Sequence, residues 1–161
     1  MVALAAETLD ALVADAAALP FADGAFDLVT AFMSLQDVDD LNGAMREAGR
    51  VLEAGGHLCF CVTHPLESAG AFAERRADAP FVVDSYLEPR RVSRIGERHG
   101  VRIHFAVEHR PLEAYSRALE GGGLAIEALR EVGLPPALWR HEWSARWARI
   151  PSFLHVRAVK R

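Results

Sequence analysis

DAAALPFADGAFDLVTAFMSLQDVDDLNGAMREAGRVLEAGGHLCF, residues 15–60, joins a turn, an apolar strand, a helix and a second apolar strand in fixed order. Leu19-Pro20-Phe21 followed by Ala22-Asp23-Gly24 is proline and glycine punctuation for a turn. FDLVTAF, residues 26–32, is largely apolar and predicts a strand buried on both faces, the kind that belongs to a parallel sheet. Asp39 or Asp40 can cap the next helix, in which Leu41, Met45, Ala48, Val51 and Leu52 follow the 3.6-residue period while Arg46, Glu47 and Arg50 face outward. Gly55 and Gly56 stop it, and HLCFCV, residues 57–62, is the next buried strand. Strand, helix and strand within about forty residues make a right-handed crossover unit, so this half is α/β.

Upstream, residues 1–12 suit a short helix, which leads into an extended segment over 11–14. Downstream, residues 66–80 form a helix or loop connector to two extended segments. FVVDSYLEPRRV, residues 81–92, contains Pro89 and predicts an edge or a bend. VRIHFAV, residues 101–107, alternates, with Val101, Ile103, Phe105 and Val107 inward against Arg102, His104 and Ala106. Gly96 and Gly100 bracket the hairpin turn. Pro111 opens a helix with Leu112, Tyr115 and Leu119 on one face, and Gly121-Gly122-Gly123 ends it before a strand over 124–129. A helix carrying Trp139, Trp143 and Trp147 as one core-packed stripe and a final strand over 153–159 close the chain.

At 161 residues, 51% hydrophobic and 25% charged, the chain predicts one domain with a real core, and no tract divides it. A net charge of −4 offers no broad basic field, so nucleic acid and acidic membranes are not expected partners. No run approaches the roughly 18 apolar residues of a membrane span. Cys59 and Cys61, two apart in a strand, point to one face as small buried hydrophobes and fit a reducing, cytoplasmic setting. The seven histidines lack tight metal spacing, so no metal site is expected.

DAAALPFADGAFDLVTAF and then EAGRVLEAGGHL, within residues 13–62, together resemble the middle of the class I S-adenosylmethionine-dependent methyltransferases (methyltransferase type 11-like). The resemblance implies a partial Rossmann-like methyltransferase sheet, strands three to seven of an order 3-2-1-4-5-7-6, with an inserted β-hairpin cap over residues 66–110 and an antiparallel C-terminal strand. It implies S-adenosyl-L-methionine as cofactor and a small-molecule methyl acceptor. Asp15 resembles the acid that accepts from the adenine amino group, and Ala16 the residue whose N–H meets the ring. Phe32, Met33 and Ser34 resemble the segment lining the methionine end, beyond the carboxyl end of a strand, where open α/β sheets bind ligands. Asp15 could instead be a helix or turn cap, and Phe32 and Met33 are as easily core as cofactor wall.

Gln36 and Asp37 are substrate-side candidates, and the cap with its flank offers Tyr86, His104, His109 and Arg110. A histidine or tyrosine there could accept a proton from the acceptor, and Arg110 could hold an anionic group. His64 follows the second strand as a loop residue or substrate contact. The family's glycine-rich loop and ribose-binding acid have no counterpart here, so the resemblance implies an N-terminally truncated domain. Its strand 26–32 would then have an open edge, which predicts a homo-oligomer or strand-swapped dimer. Two other readings stay open. One is a non-catalytic remnant acting as a dimeric binding or scaffold protein. The other is a different α/β enzyme, for which no Gly-x-Ser-x-Gly elbow speaks.

Overall fold

The computed structural model describes residues 11–98, 100–138 and 141–161. Strand β1 (Phe26–Phe32) leads into helix α1 (Leu41–Val51), which passes directly into β2 (Leu52–Thr63). Asp40 caps α1 by accepting from the Gly43 amide at 2.8 Å, as an acid just ahead of the apolar period should. The helix ends at Val51 because Leu52 is already extended, so Gly55 and Gly56 lie within the following strand rather than at the helix stop.

A short helix α2 (Pro65–Ala69) follows β2. Then come β3 (Gly70–Phe72), β4 (Phe81–Val83), the long hairpin β5 (Arg90–Arg98) and β6 (Val101–His109), helix α3 (Leu112–Gly121) and β7 (Leu124–Val132). Two 3₁₀ segments, Pro136–Leu138 and Glu142–Arg149, precede β8 (Phe153–Lys160).

The main sheet has the order β1-β2-β8-β7, with β1 and β2 parallel and β8 antiparallel to both its neighbours. These are the last four positions of the order 3-2-1-4-5-7-6. The expected third strand is absent among the described residues, since residues 11–14 pair with no strand. Consequently β1 is an edge.

Helices α1 and α3 cover one face of this sheet. Met45, Ala48 and Leu41 of α1 and Tyr115, Ala118 and Leu119 of α3 pack on Leu58, Phe60 and Val62 of β2 and on Leu154, Val156 and Ala158 of β8. Phe60 and Tyr115 stack with ring centroids 6.1 Å apart. The helices approach backbone to backbone. A Cβ at Gly49 would lie 2.0 Å from the Gly122 carbonyl oxygen, and one at Gly122 would lie 2.4 Å from that of Met45. Only glycine permits this crossing.

Several expectations are corrected. β1 is not buried on both faces: Leu28 is 50% and Phe32 79% exposed, because nothing among the described residues lies on their side. The single strand over 81–92 is broken. β4 pairs with β3, and β5 starts after Pro89, whose missing N–H interrupts a ladder. The Arg90 guanidinium holds the bend by donating to the carbonyls of Ser85 and Ala69. Gly100, at φ +76°, serves the β5–β6 turn, but Gly96 lies inside β5 opposite Ile103. The apolar stripe of β6 is only half covered, with Val101 and Phe105 exposed, since a two-stranded hairpin has no sheet behind it. The segment of tryptophans is 3₁₀ around Trp143 and Trp147, and Trp139 lies outside the described residues. Trp147 meets Phe72 edge-on at 5.1 Å. Cys59 is half-buried and Cys61 buried, both free, and burial pushes the Cys61 thiol up.

Candidate active site

The carboxyl ends of the parallel strands β1 and β2 lie side by side. Phe32 is in register with Cys61, and the Met33 amide donates to the Cys61 carbonyl at 2.8 Å, so the two chains leave the sheet together. Met33 turns with φ +52°, the one non-glycine residue in the left-handed region among the described residues. Such a conformation is held by its surroundings. Its sulfur contacts Cys61 Sγ at 3.8 Å, and its carbonyl accepts from Gln36 Nε2 at 2.9 Å. Phe32 and Ser34 are exposed on either side of it.

The turn over residues 15–18 reaches the same end of the sheet through α1. Asp15 Oδ1 accepts from the Ala17 amide at 2.8 Å, and the Ala18 amide donates to the Asp15 carbonyl at 3.0 Å. Asp15 therefore caps its own turn, yet it remains exposed, with one oxygen beyond that bond. Ala16 packs against the core. Ala17 lies against the first turn of α1, so close that a Cβ at Gly43 would be 2.7 Å from its own.

The chain beyond is tied to α1 by Arg50, which donates to the carbonyls of Leu19 and Phe21 and to Asp23 and Glu47. Glu47 in turn accepts from the Leu19 amide at 2.7 Å. The Arg50 guanidinium and the Leu19 amide hold the Glu47 carboxyl down to about 2.

The loop from β1 to α1 is braced from the other side. Arg110 donates to the carbonyls of Leu35, Val38 and Asp39, and the Glu108 amide donates to that of Gln36 at 3.0 Å. The guanidinium expected to hold an anion is thus a strut for the cofactor-side loop. Gln36 is 5% exposed, and its Oε1 is buried without a hydrogen-bond partner. Partial burial pushes the Asp37 carboxyl up against the opposing bond from Gln36, and burial likewise raises the Tyr115 phenol against Arg110.

Beyond β2, His64 caps α2: Nδ1 accepts from the Leu66 amide at 3.0 Å, so Nε2 carries the proton toward Glu131 at 3.0 Å. Burial lowers its pKa despite that carboxylate. His109 is 1% exposed, with Nδ1 at 2.7 Å from Ser68 Oγ and Nε2 at 2.9 Å from the Tyr86 carbonyl oxygen. The Tyr86 hydroxyl accepts from the Leu112 amide at 3.2 Å and supplies the cap that Pro111 cannot. His104 stands exposed opposite Ile95, on the outer surface of the hairpin.

Between the hairpin and the end of β2 lies a cavity of about 240 Å³, lined by Thr63, Glu67, Ser68, Val92, Phe105 and Val107. None of these six is among the candidates read from the sequence. Ser68 and Glu67 are ordinary helix residues there, and only the alternation of 101–107 pointed toward the apolar wall. A second cavity, about 390 Å³, lies on the sheet face that the helices leave open, against Phe32, Cys59, Cys61, Arg130, His155 and Arg157.

An adenosyl sulfonium fits the cofactor candidates at its adenine end and its methionine end. Asp15 offers an exposed carboxylate beside the half-buried Ala16 amide, and residues 32–34 present a fixed, accessible rim where the strands end. A parallel β-α-β unit with ligand-accessible residues past its carboxyl ends defines an open α/β cofactor-binding class.

The comparisons carry this further. Residues 1–60 match the Methyltransferase domain family. The demethylmenaquinone methyltransferase of Mycolicibacterium vanbaalenii is 44% identical over 57 residues, which cover 35% of this chain and 25% of that protein. The ubiquinone/menaquinone biosynthesis C-methyltransferase of Dinoroseobacter shibae is 49% identical over 69 residues, covering 40% and 28%. In structure, an S-adenosylmethionine-dependent methyltransferase from Mesorhizobium loti superposes with a TM-score of 0.73 at 26% identity, over 96% of this chain and 73% of its own. Residues 1–60 thus match a methyltransferase domain, and the fold is that of S-adenosylmethionine-dependent methyltransferases. The chain's matched segment spans about a quarter of the curated relatives' length.

Proposed function

We propose that this chain acts in methyl transfer from S-adenosylmethionine to a small-molecule acceptor held under the β5–β6 hairpin. One observation carries the reading: the cofactor rim at residues 32–34 and the cavity at Thr63 leave the sheet from neighbouring parallel strands, two residues apart in register. Asp15 and Ala16 would hold the adenine, and Phe32, Met33 and Ser34 the methionine end. When bound, the cofactor supplies an activated methyl group on a positively charged sulfur.

The contribution of this chain's residues is positional. Arg110 and Gln36 fix the loop carrying the rim, and the apolar wall of Val92, Phe105 and Val107 excludes water from the acceptor. Holding reactants in line contributes roughly 7–11 kcal/mol when the geometry is right. The segment over residues 66–110 is then a substrate cap, with Tyr86, His109 and His64 securing it to the sheet. The two relatives, both quinone-pathway methyltransferases by name, favour a small, largely apolar ring as acceptor.

Titration calorimetry with S-adenosylhomocysteine tests this. Saturable heat is expected, weakened about tenfold in Asp15→Asn, in line with loss of one charge-assisted hydrogen bond. No heat at millimolar ligand overturns it for this chain.

The exposed edge of β1 favours a second property, pairing with a second copy. Set antiparallel about Val29, FDLVTAF places Phe26 opposite Phe32 of the second copy and Leu28 opposite Thr30, with no like charges opposed. Sedimentation as a dimer is expected, and a monodisperse monomer overturns this.

A further inference from the structure

The buried pair of Ser68 and His109 is not needed to explain the cap's attachment alone. His109 Nε2 meets only the Tyr86 carbonyl, an acceptor, so Nε2 carries a proton. In the neutral ring Nδ1 is therefore a bare lone pair, and Ser68 Oγ at 2.7 Å must donate to it. Ser68 is also one of the six residues lining the 240 Å³ cavity, which places the pair at the wall of the acceptor space.

The Pro65 carbonyl completes the arrangement. It lies 3.1 Å from Ser68 Oγ, a second acceptor for the same hydroxyl proton. If His109 takes up a proton at Nδ1, the ring donates back to Ser68 Oγ and the hydroxyl turns to Pro65. Both ring nitrogens and the hydroxyl are then hydrogen-bonded with the proton on either side. A buried imidazole that keeps full hydrogen bonding in both charge states is built to receive a proton, because leaving a group unpaired at that depth would cost about 1–3 kcal/mol.

We propose that Ser68 takes the proton of the methyl acceptor and passes its own to His109. Resting on the methyl-transfer reading above, this names the substrate as a small apolar molecule with an exchangeable O–H or N–H, methylated on that atom and not on carbon as the name of the Dinoroseobacter shibae relative states for that protein. The acceptor's X–H bond breaks as its proton joins Ser68 Oγ, while the Ser68 O–H bond breaks as its proton joins His109 Nδ1. The electron pair left on X is the one that takes the methyl group, and the positive charge ends on the imidazolium, held by Ser68 and Tyr86. Ser68 is the catalytic residue of this step and His109 the positioning residue behind it.

A serine backed in this way is reactive toward diisopropyl fluorophosphate, which reads the pair without cofactor or acceptor. The serine oxygen displaces fluoride, and its proton goes to His109. Intact-mass analysis is expected to give one adduct on Ser68, none in Ser68→Ala, and a rate about a hundredfold lower in His109→Gln. The unaltered chain supplies a check that needs no variant: ¹⁵N NMR of His109 should report the neutral Nε2–H tautomer with a hydrogen-bonded Nδ1.

Absence of a Ser68 adduct, an undiminished rate in His109→Gln, or an Nδ1–H tautomer would each overturn the proposal. Labelling of Ser68 in a chain that gives no heat with S-adenosylhomocysteine would leave the pair standing and remove the methyl-transfer reading.

Discussion

The two faces of the main sheet are made from alternate residues of the same strands, yet they have opposite physical character. On one, Leu58, Phe60, Val62, Leu154, Val156 and Ala158 are buried under α1 and α3. On the other, Leu28 and Phe32 are exposed, Cys59 is half-buried, and Arg157 and His57 share Glu127 at 3.1 Å each. Covering decides stability, and accessibility decides what can bind. The end of the sheet where the faces meet carries residues 32–34 and the cavity under the hairpin.

The contrast predicts effects of very different size. Gly49→Val should be the most damaging, at about 3 kcal/mol or more in denaturant unfolding, because its side chain must displace the α3 backbone rather than a flexible neighbour. A loss below 1 kcal/mol would mean that α1 and α3 slide apart easily.

Acid should act next, through His64. Burial disfavours its cation, so the folded chain takes up this proton at a lower pH than the unfolded chain does. Stability is therefore full above the ordinary value of 6.5 and falls as pH drops through it, until the folded form protonates as well. Melting temperatures across that window should fall less steeply in His64→Gln, and an unchanged slope would exonerate this histidine.

A smaller and local effect is expected for Glu47→Gln. The Leu19 amide loses its carboxylate and Arg50 one of its partners, so hydrogen exchange should quicken at Leu19 while the strand amides keep their protection. The same loosening should appear in the wild type as acid approaches the Glu47 value of about 2. The least effect belongs to the open face: Phe32→Ser should change unfolding stability by no more than about 0.5 kcal/mol. A loss of several times that figure would reveal a covered face.

Much of the covered half was legible in the residues. Asp40 capping α1, the buried period from Leu41 to Val51 and the glycine stop after α3 follow from local rules of capping and periodicity, and the antiparallel last strand was implied by the family resemblance. The open half was not. A run such as FDLVTAF reads the same whether its second face meets a helix or solvent, since periodicity records polarity and not the presence of a neighbour. The site divided along similar lines. Asp15, Ala16 and residues 32–34 lie within a motif, whereas Ser68, Thr63, Glu67 and Val92 come together only because the hairpin folds back over the end of β2.

Sequence alone determined the β-α-β unit and the methyltransferase-like motif within residues 15–60. Tertiary structure decided which histidine caps a helix, which lies on the surface and which is buried against Ser68 and Tyr86, and it placed the Arg110 guanidinium against the carbonyls of Leu35, Val38 and Asp39. The reason is physical. A side chain's type limits the bonds it can form, but its charge state and task are set by which carbonyls, hydroxyls and apolar walls the fold brings to it.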